Sequence, residues 1–324
     1  MFLSQKTDVY PTLLAPYPCS VYCRIMIICN GLNKFILHNV DLHIPLGITL
    51  GIIGPSGSGK TTFLKLVSGL LQPESGEIFT LRKNPVKGQK SISSRIAVLY
   101  ADTPVYDENF LIMDGLEEIR LMYGIKKNHF NEQLNHVMSV LDFSDILHSK
   151  PKELSLGQKR RAELGLMFLR DADLYLFDEP CLGLDQNGKA AFYSLVKEKQ
   201  KEGKTVLVSS HSMEDISTIA DRVLLFDKGT IAFYGSKEEL YKRLSPIQTG
   251  YVEFDGKIPD VSDLEIESYT VENGKMTFSY NSNHVSSKEL LKKICFTTSV
   301  KSVALHNASL AEIIKKQKGM EVEN

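Results

Sequence analysis

The sequence predicts an α/β fold: a mostly parallel sheet covered on both faces, with an antiparallel β subdomain, a helical subdomain and a small C-terminal α+β domain. Three observations predict it. ITLGIIG (48–54) is an apolar, β-branched run that stops abruptly in glycine. It leads straight into SGKTTFLKLVSGLL (58–71), whose apolar spacing from Phe63 onward is helical. DLYLFDEP (173–180) and KTVLVSSH (204–211) repeat the buried-strand pattern, with the helical stretch GKAAFYSLVKEKQKEG (188–203) between them. Strands that alternate with helices pair in parallel, because each crossover helix must cover a face of the sheet.

Taken in order, VYCRIMII (21–28) reads as a first strand after a proline-rich start, and ILHNVDLHI (36–44) as a second. Residues 108–148 have helical periodicity and little turn chemistry, which places a helical subdomain at about 105–170. RVLLFDKGTIAFYG (222–235) reads as a hairpin turning at Lys228-Gly229. Composition shifts near Ser245-Pro246. Beyond it, YVEFDG is a strand and TVENGKMTFSY a hairpin with Asn273-Gly274 at its turn. Ser286 stands three residues before Glu289, the spacing of a helix capping box, and Ser309 to Glu312 repeats it. The expected division is a flexible extension over 1–25, the main domain over 26–245 and an accessory α+β domain over 246–324.

Composition narrows the class. The 324 residues are 43% hydrophobic and 24% charged, with a formal net charge of -1, so nothing suggests a nucleic-acid partner. The five cysteines form no CxxC pair and lie at no metal-ligand spacing from a histidine, which fits a reducing compartment, the cytoplasm. The best membrane candidate, PCSVYCRIMIIC (18–29), falls short of the roughly 20 apolar residues a spanning helix needs, and Arg24 interrupts it.

GPSGSGKT (54–61) satisfies G-x-x-x-x-G-K-[ST], the phosphate loop of P-loop NTPases. Its glycines let backbone N–H groups cradle phosphate oxygens, and the following helix aims its positive end at the same anion. The expected nucleotide contacts are Gly54, Pro55, Ser56, Gly57, Ser58, Gly59, Lys60, Thr61 and Thr62. Lys60 reaches the β- and γ-phosphates, and the Thr61 hydroxyl goes to Mg²⁺. Downstream, a buried strand ends in Asp178-Glu179. A carboxylate there holds Mg²⁺, and a second, adjacent one orients and polarises the attacking water.

At this point the chain resembles the ABC ATPase family. LSLGQ (154–158) resembles the family signature LSGGQ, with Leu156 in place of a glycine. CLGLD (181–185) is similar to the D-loop, with Asp185 as its acid, and VSSH (208–211) to the switch region, giving His211. The resemblance spans about residues 26–243. It implies that two such domains pair head to tail, with ATP between the phosphate loop of one and the signature of the other. Ser155 and Gly157 would then donate hydrogen bonds to the γ-phosphate across the interface, Gln158 and Asp185 would join the nucleotide site, and His211 would meet the γ-phosphate from within its own subunit. The implied roles are Glu179, His211 and Lys60 in catalysis, and Thr61 and Asp178 at Mg²⁺.

Two positions depart from the pattern. The family's glutamine between the phosphate loop and the helical subdomain falls here at Ala101 or Asp102, in RIAVLYADTPVYDENF (95–110). Asp102 is either a ligand to Mg²⁺-bound water or an exposed loop acid. Phe35 is either the aromatic that stacks on adenine or a core phenylalanine. The Leu156 signature, the long helical region and the α+β tail resemble exporter-type members. The expected function is thus the energising subunit of an exporter, peripheral on the cytoplasmic face of the membrane. Its expected partners are a separate permease chain and a second ATPase subunit. The competing expectation is a soluble, non-transport ABC ATPase.

Overall fold

The computed structural model describes residues 24–307, apart from 245–246, 262–263 and 283. Residues 1–23 of the expected extension and the Ser309–Glu312 capping pair lie outside the described residues.

The chain enters through an antiparallel pair, β1 (Ile25–Lys34) and β2 (Leu37–Pro45). β3 (Thr49–Ile53) runs into the 54–59 loop and helix α1 (Lys60–Val67), and β4 (Ser75–Thr80) returns to pair with β1. A helical turn, α2 (Gln89–Ile92), precedes β5 (Ile96–Leu99). The helical region follows as α3 (Ile112–Met122), α4 (Lys127–Leu141) and α5 (Leu156–Phe168). Then come β6 (Leu174–Asp178), α6 (Gln186–Lys201), β7 (Thr205–Ser209), α7 (Met213–Ile219), β8 (Arg222–Asp227), β9 (Thr230–Ser236) and α8 (Lys237–Leu244). The last described unit holds β10 (Ile247–Asp255), β11 (Ile266–Glu272), β12 (Lys275–Asn281), α9 (Ser287–Thr297) and β13 (Ser299–Asn307).

The central sheet has the order β5-β6-β7-β3-β8-β9 and is parallel except at the β8/β9 hairpin. Its inner strands are apolar through their middles because alternate residues feed two different cores. In β6, Leu174 and Leu176 face the core shared with α1 and the β2-β1-β4 sheet. Tyr175 and Phe177 face the core shared with α5, α6 and α7. β8 divides the same way, Leu224 and Phe226 against Val223 and Leu225. Burying each such side chain is worth roughly 1.5–3 kcal/mol, and strand register assigns it to its side. Gly51 in β3 lets α7 lie directly on the sheet, since a Cβ there would sit 2.2 Å from Ile216 Cγ2.

In the helical region, Phe130, Leu134, Val137 and Leu141 make the buried stripe of α4, and Gly165 of α5 leaves the slot that the Phe143 ring fills. The last unit has its own apolar cluster: Val252, Phe254, Met276, Phe278 and Tyr280 of the sheet against Leu290 and Ile294 of α9. Its sheet order is β11-β12-β10-β13, and Ser286 caps α9 with Glu289 returning the bond.

Two strands were not anticipated. β4 has buried side chains at Ile78 and Thr80 and is otherwise partly or fully exposed, so its apolar pattern is faint. None of residues 299–305 of β13 is fully buried, and that strand forms through its long pairing with β10. β1 also runs past residue 28 to Lys34, because pairing on both edges carries its polar end.

Candidate functional site

Parallel register decides where the chemistry sits. Asp178 of β6 lies opposite Ser209 of β7, and Ile52 of β3 lies opposite the same serine. These strands end level, so residues 54–61, 178–179 and 209–211 leave the sheet along one edge. Open α/β sheets hold ligands beyond this edge, at the carboxyl ends of their strands.

Gly54, Gly57 and Gly59 have φ of 149°, 77° and 107°, a region that side chains disfavour. A Cβ on Gly54 would lie 2.3 Å from the Phe226 carbonyl oxygen, and one on Gly59 would lie 2.4 Å from Leu37 Cδ2. Ser56 and Gly57 form the exposed lip of the loop, and Thr61 and Thr62 are half-buried in α1. Lys60 Nζ donates to the carbonyl oxygens of Gly54 (2.9 Å) and Pro55 (3.0 Å). Burial lowers its pKa, while the neighbouring carboxylates of Glu179 and Asp178 act in the opposite direction.

The acids are ordered by serine and threonine. Thr61 Oγ1 donates to Asp178 Oδ2 at 2.7 Å, and Ser209 Oγ donates to Asp178 Oδ1. The Glu179 N–H donates to the Ser209 carbonyl oxygen and to its Oγ, both at 3.1 Å. Glu179 sits at φ 48°, so the chain turns sharply as it leaves β6. That turn brings Glu179 Oε2 within 2.8 Å of His211 Nδ1, and the His211 side chain is 72% exposed beyond it.

These residues fit a phosphate and a divalent cation. Mg²⁺ takes oxygen donors and binds through one or two protein ligands plus substrate phosphates, and Thr61 Oγ1 and Asp178 Oδ2 are such donors, already side by side. Among the described residues, no cluster of three metal-binding acids, cysteines or histidines occurs, and Ser58 Oγ is buried without a hydrogen-bond partner. An unpaired buried hydroxyl is costly unless a ligand or water satisfies it.

The other expected site residues lie apart from these contacts. Ser155 caps α5: its Oγ accepts from the Gln158 N–H at 3.3 Å, and Gln158 Oε1 accepts from the Ser155 N–H at 3.1 Å. Gly157 approaches the 181–185 loop so closely that a Cβ would lie 2.9 Å from the Gly183 carbonyl oxygen. Leu156 lies over Gly183 and stays 60% exposed. Asp185 caps α6 by accepting from the Gly188 N–H at 2.9 Å, and Arg161 of α5 donates to the same oxygen at 2.8 Å. The Gly188 N–H, then Arg161, hold the Asp185 carboxyl below its ordinary pKa.

Asp102 is an exposed acid paired with Lys65 of α1 at 3.1 Å, and that hydrogen bond chiefly lowers its pKa. Beside it, Tyr100 shares a 2.6 Å hydrogen bond with Ser68, and burial pushes its hydroxyl up to about 12. Phe35 is 62% exposed, with Lys34 Nζ 4.4 Å from its ring centre, so it is not a core residue. Sequence reasoning missed Ser209, Lys65 and Arg161. The serine stood in the quoted VSSH, but its partners come from a different strand.

Similarity to known proteins bears on this arrangement. A family model described as "ABC transporter" matches residues 37–182. The energy-coupling factor transporter ATP-binding protein EcfA2 of Acetivibrio thermocellus is 31% identical, over 67% of this chain and 78% of its own length. The glucose import ATP-binding protein GlcV of Saccharolobus solfataricus is 33% identical, over 71% of this chain and 65% of its own length. A solved ATP-binding subunit of an ABC transporter superposes with a TM-score of 0.63 at 23% identity, covering 67% of this chain and 92% of that one.

Proposed function

The chain belongs to the ABC transporter family of ATP-binding proteins, and from that membership we propose that it energises export through a separate membrane permease as a head-to-tail pair. ATP hydrolysis coupled to transport is the activity of the family. The hydrolytic part of this reading rests on one observation: a level strand edge brings Thr61 to Asp178 and His211 to Glu179.

In this reading the loop glycines and Lys60 bind and neutralise the phosphates. Mg²⁺, held by Thr61 and Asp178, supplies charge stabilisation to the phosphate oxygens. Glu179 Oε2 accepts a proton from the attacking water, and His211 holds that oxygen in place. Phe35, exposed beside the loop strand, offers a ring face to adenine. Ser155, Gly157 and Gln158 act on the nucleotide of the second copy, whose own Ser155 completes this one. Asp102 stays with Lys65 as a surface link to α1. The boundary near residue 245, between ATPase and accessory units, belongs to the same proposal.

The permease meets a groove of about 460 Å³ beside the 101–110 loop, lined by Val105, Tyr106, Phe110, Met122 and the rim acids Asp107 and Asp114. No described helix is long and apolar enough to cross a membrane, and a separate permease and a peripheral place on the cytoplasmic face are carried over from the family resemblance. Charge reversal at Asp107 and Glu108 should weaken membrane co-purification and leave ATP binding intact. Recovery in the soluble fraction with no membrane partner would favour a non-transport ATPase instead.

Export is supported by the resemblance of LSLGQ and the α+β tail to exporter-type members, whereas the relative GlcV is named for import. Transport assays in vesicles of both orientations, loaded with the solutes that the permease's neighbours handle, decide the direction. Substitution of Glu179→Gln tests the chemistry: removing a general base lowers turnover by about 10²–10⁴-fold. The variant should accumulate an ATP-bound dimer on size exclusion, and Lys60→Ala should abolish that dimer. Unchanged turnover would remove Glu179 from the role.

A further inference from the structure

Asp215 has a local use that it does not take. Four helices of the described chain begin with Ser followed three residues later by Asp, Glu or Gln: Ser155/Gln158, Ser212/Asp215, Ser236/Glu239 and Ser286/Glu289. In three of them the later side chain returns to the N–H of the serine, closing a capping box. In the fourth, Ser212 Oγ still accepts from the Asp215 N–H at 3.3 Å, but the carboxylate turns away toward α6.

There it enters a buried polar cluster. Lys189 Nζ donates to Asp215 Oδ1 at 3.0 Å, and the Tyr193 hydroxyl donates to the same oxygen at 2.6 Å. Lys189 and Tyr193 are four residues apart, so one face of α6 presents both. Ser210 Oγ donates to Asp215 Oδ2 at 3.5 Å and accepts from the Ser212 N–H at 3.0 Å. The Asp215 side chain is only 4% exposed. Cys181 is buried within reach of Tyr193 and Asp215; burial first, then Asp215, push its thiol up to about 12, so it remains a neutral packing partner.

The two ends of this cluster are the two segments that carry the proposed chemistry. Cys181 follows Glu179 by two residues, and Ser210 and Ser212 flank His211. We propose that Asp215 is a positioning residue for hydrolysis: held by Lys189 and Tyr193 against Cys181, it fixes the His211 segment relative to the loop that follows Glu179. The inference rests on the reading that His211 holds Glu179. A buried carboxylate loses heavily when one partner is removed, so each bond restricts how far His211 can drift. Drift matters because small misplacements near the reacting atoms cost large factors in rate.

The test is a double-mutant cycle on steady-state and single-turnover ATP hydrolysis by the full chain. Asp215→Asn should lower kcat by roughly ten- to a hundredfold while KM for ATP stays within about twofold. Tyr193→Phe should lower kcat less, Lys189→Met should do the same, and Lys189→Arg should restore most of the loss. In the His211→Ala background, Asp215→Asn should cost nothing more, because the group through which it acts is gone. Equal losses with and without His211 would overturn the proposal, as would a fall in melting temperature with kcat unchanged. If His211→Ala by itself leaves kcat intact, the reading of His211 fails first, and this inference with it. Should Asp215→Asn fail to fold, Tyr193→Phe carries the same cycle.

Discussion

The strand edge at 54–61, 178–179 and 209–211 and the signature end at 154–158 and 181–185 are built on opposite principles. At the edge, polar side chains are tied to one another across strands: Thr61 to Asp178, Ser209 to Asp178, His211 to Glu179. At the signature end, bonds stay local or serve the scaffold. Ser155 caps its own helix, Asp185 caps the next, and Arg161 joins the two. Leu156 and Leu182 remain exposed there. The first region is organised before any ligand arrives. The second is tied to its own scaffold and turned outward, which is consistent with the proposed action on a second copy.

The largest effects should separate the two regions. Gly59→Val puts a side chain at φ 107° against Leu37 and should abolish nucleotide binding, read by fluorescent ATP analogue titration. Ser155→Arg should leave that titration within about twofold and remove turnover, because the bulk blocks only what a second copy needs. If Ser155→Arg weakens binding as much as Gly59→Val does, the two regions are one site and the contrast fails.

A middle-sized effect tests how the edge is held. Ser209→Ala removes the donor shared by Asp178 and the contact to the Glu179 N–H. Losing hydrogen bonds to a buried carboxylate should cost about 1.5–3 kcal/mol of stability, seen by urea unfolding. Turnover should fall with it, whereas Ser209→Thr should keep both if the extra methyl is accommodated.

The smallest effect belongs to the signature end. The Asp185 carboxyl is held below its ordinary pKa by the Gly188 N–H and Arg161. A depressed folded pKa gives stability that is present above the unfolded value, about 3.9, and is lost as pH falls through the lower folded value. Asp185→Asn should therefore lose a small stabilisation that the wild type has at neutral pH, and the two profiles should converge as pH falls through that acid range. A wild-type profile that the substitution leaves unaltered would show that the cap contributes nothing.

Much of the edge was legible in the sequence, because phosphate chemistry restricts which residues serve. Gly54, Lys60, Thr61 and the Asp178-Glu179 pair follow from a loop pattern and a strand that stops in acids. The fold class was legible for a related reason: strands buried on both faces read as unbroken apolar runs. What stayed hidden depends on partners distant in the chain. Ser209 matters because β7 ends level with β6, and no local pattern states that alignment. Asp102 offered two readings, and its pairing with Lys65 of α1 is a contact with a distant segment that no local pattern states. Asp215 carried the spacing of a capping box and spent its carboxylate elsewhere. β4 and β13 lacked a clear apolar alternation, so only pairing reveals them.

The level ending of β3, β6 and β7 has a consequence for the life of the molecule in a cell. Because strand side chains alternate, a one-residue slip of β7 would send Val206 and Val208 to the wrong core and withdraw Ser209 from both acids. The alignment that satisfies the cores is the same alignment that assembles the hydrolytic groups. A nascent or heat-damaged copy with a misregistered sheet would therefore lose its core packing and the contacts proposed for ATP hydrolysis together.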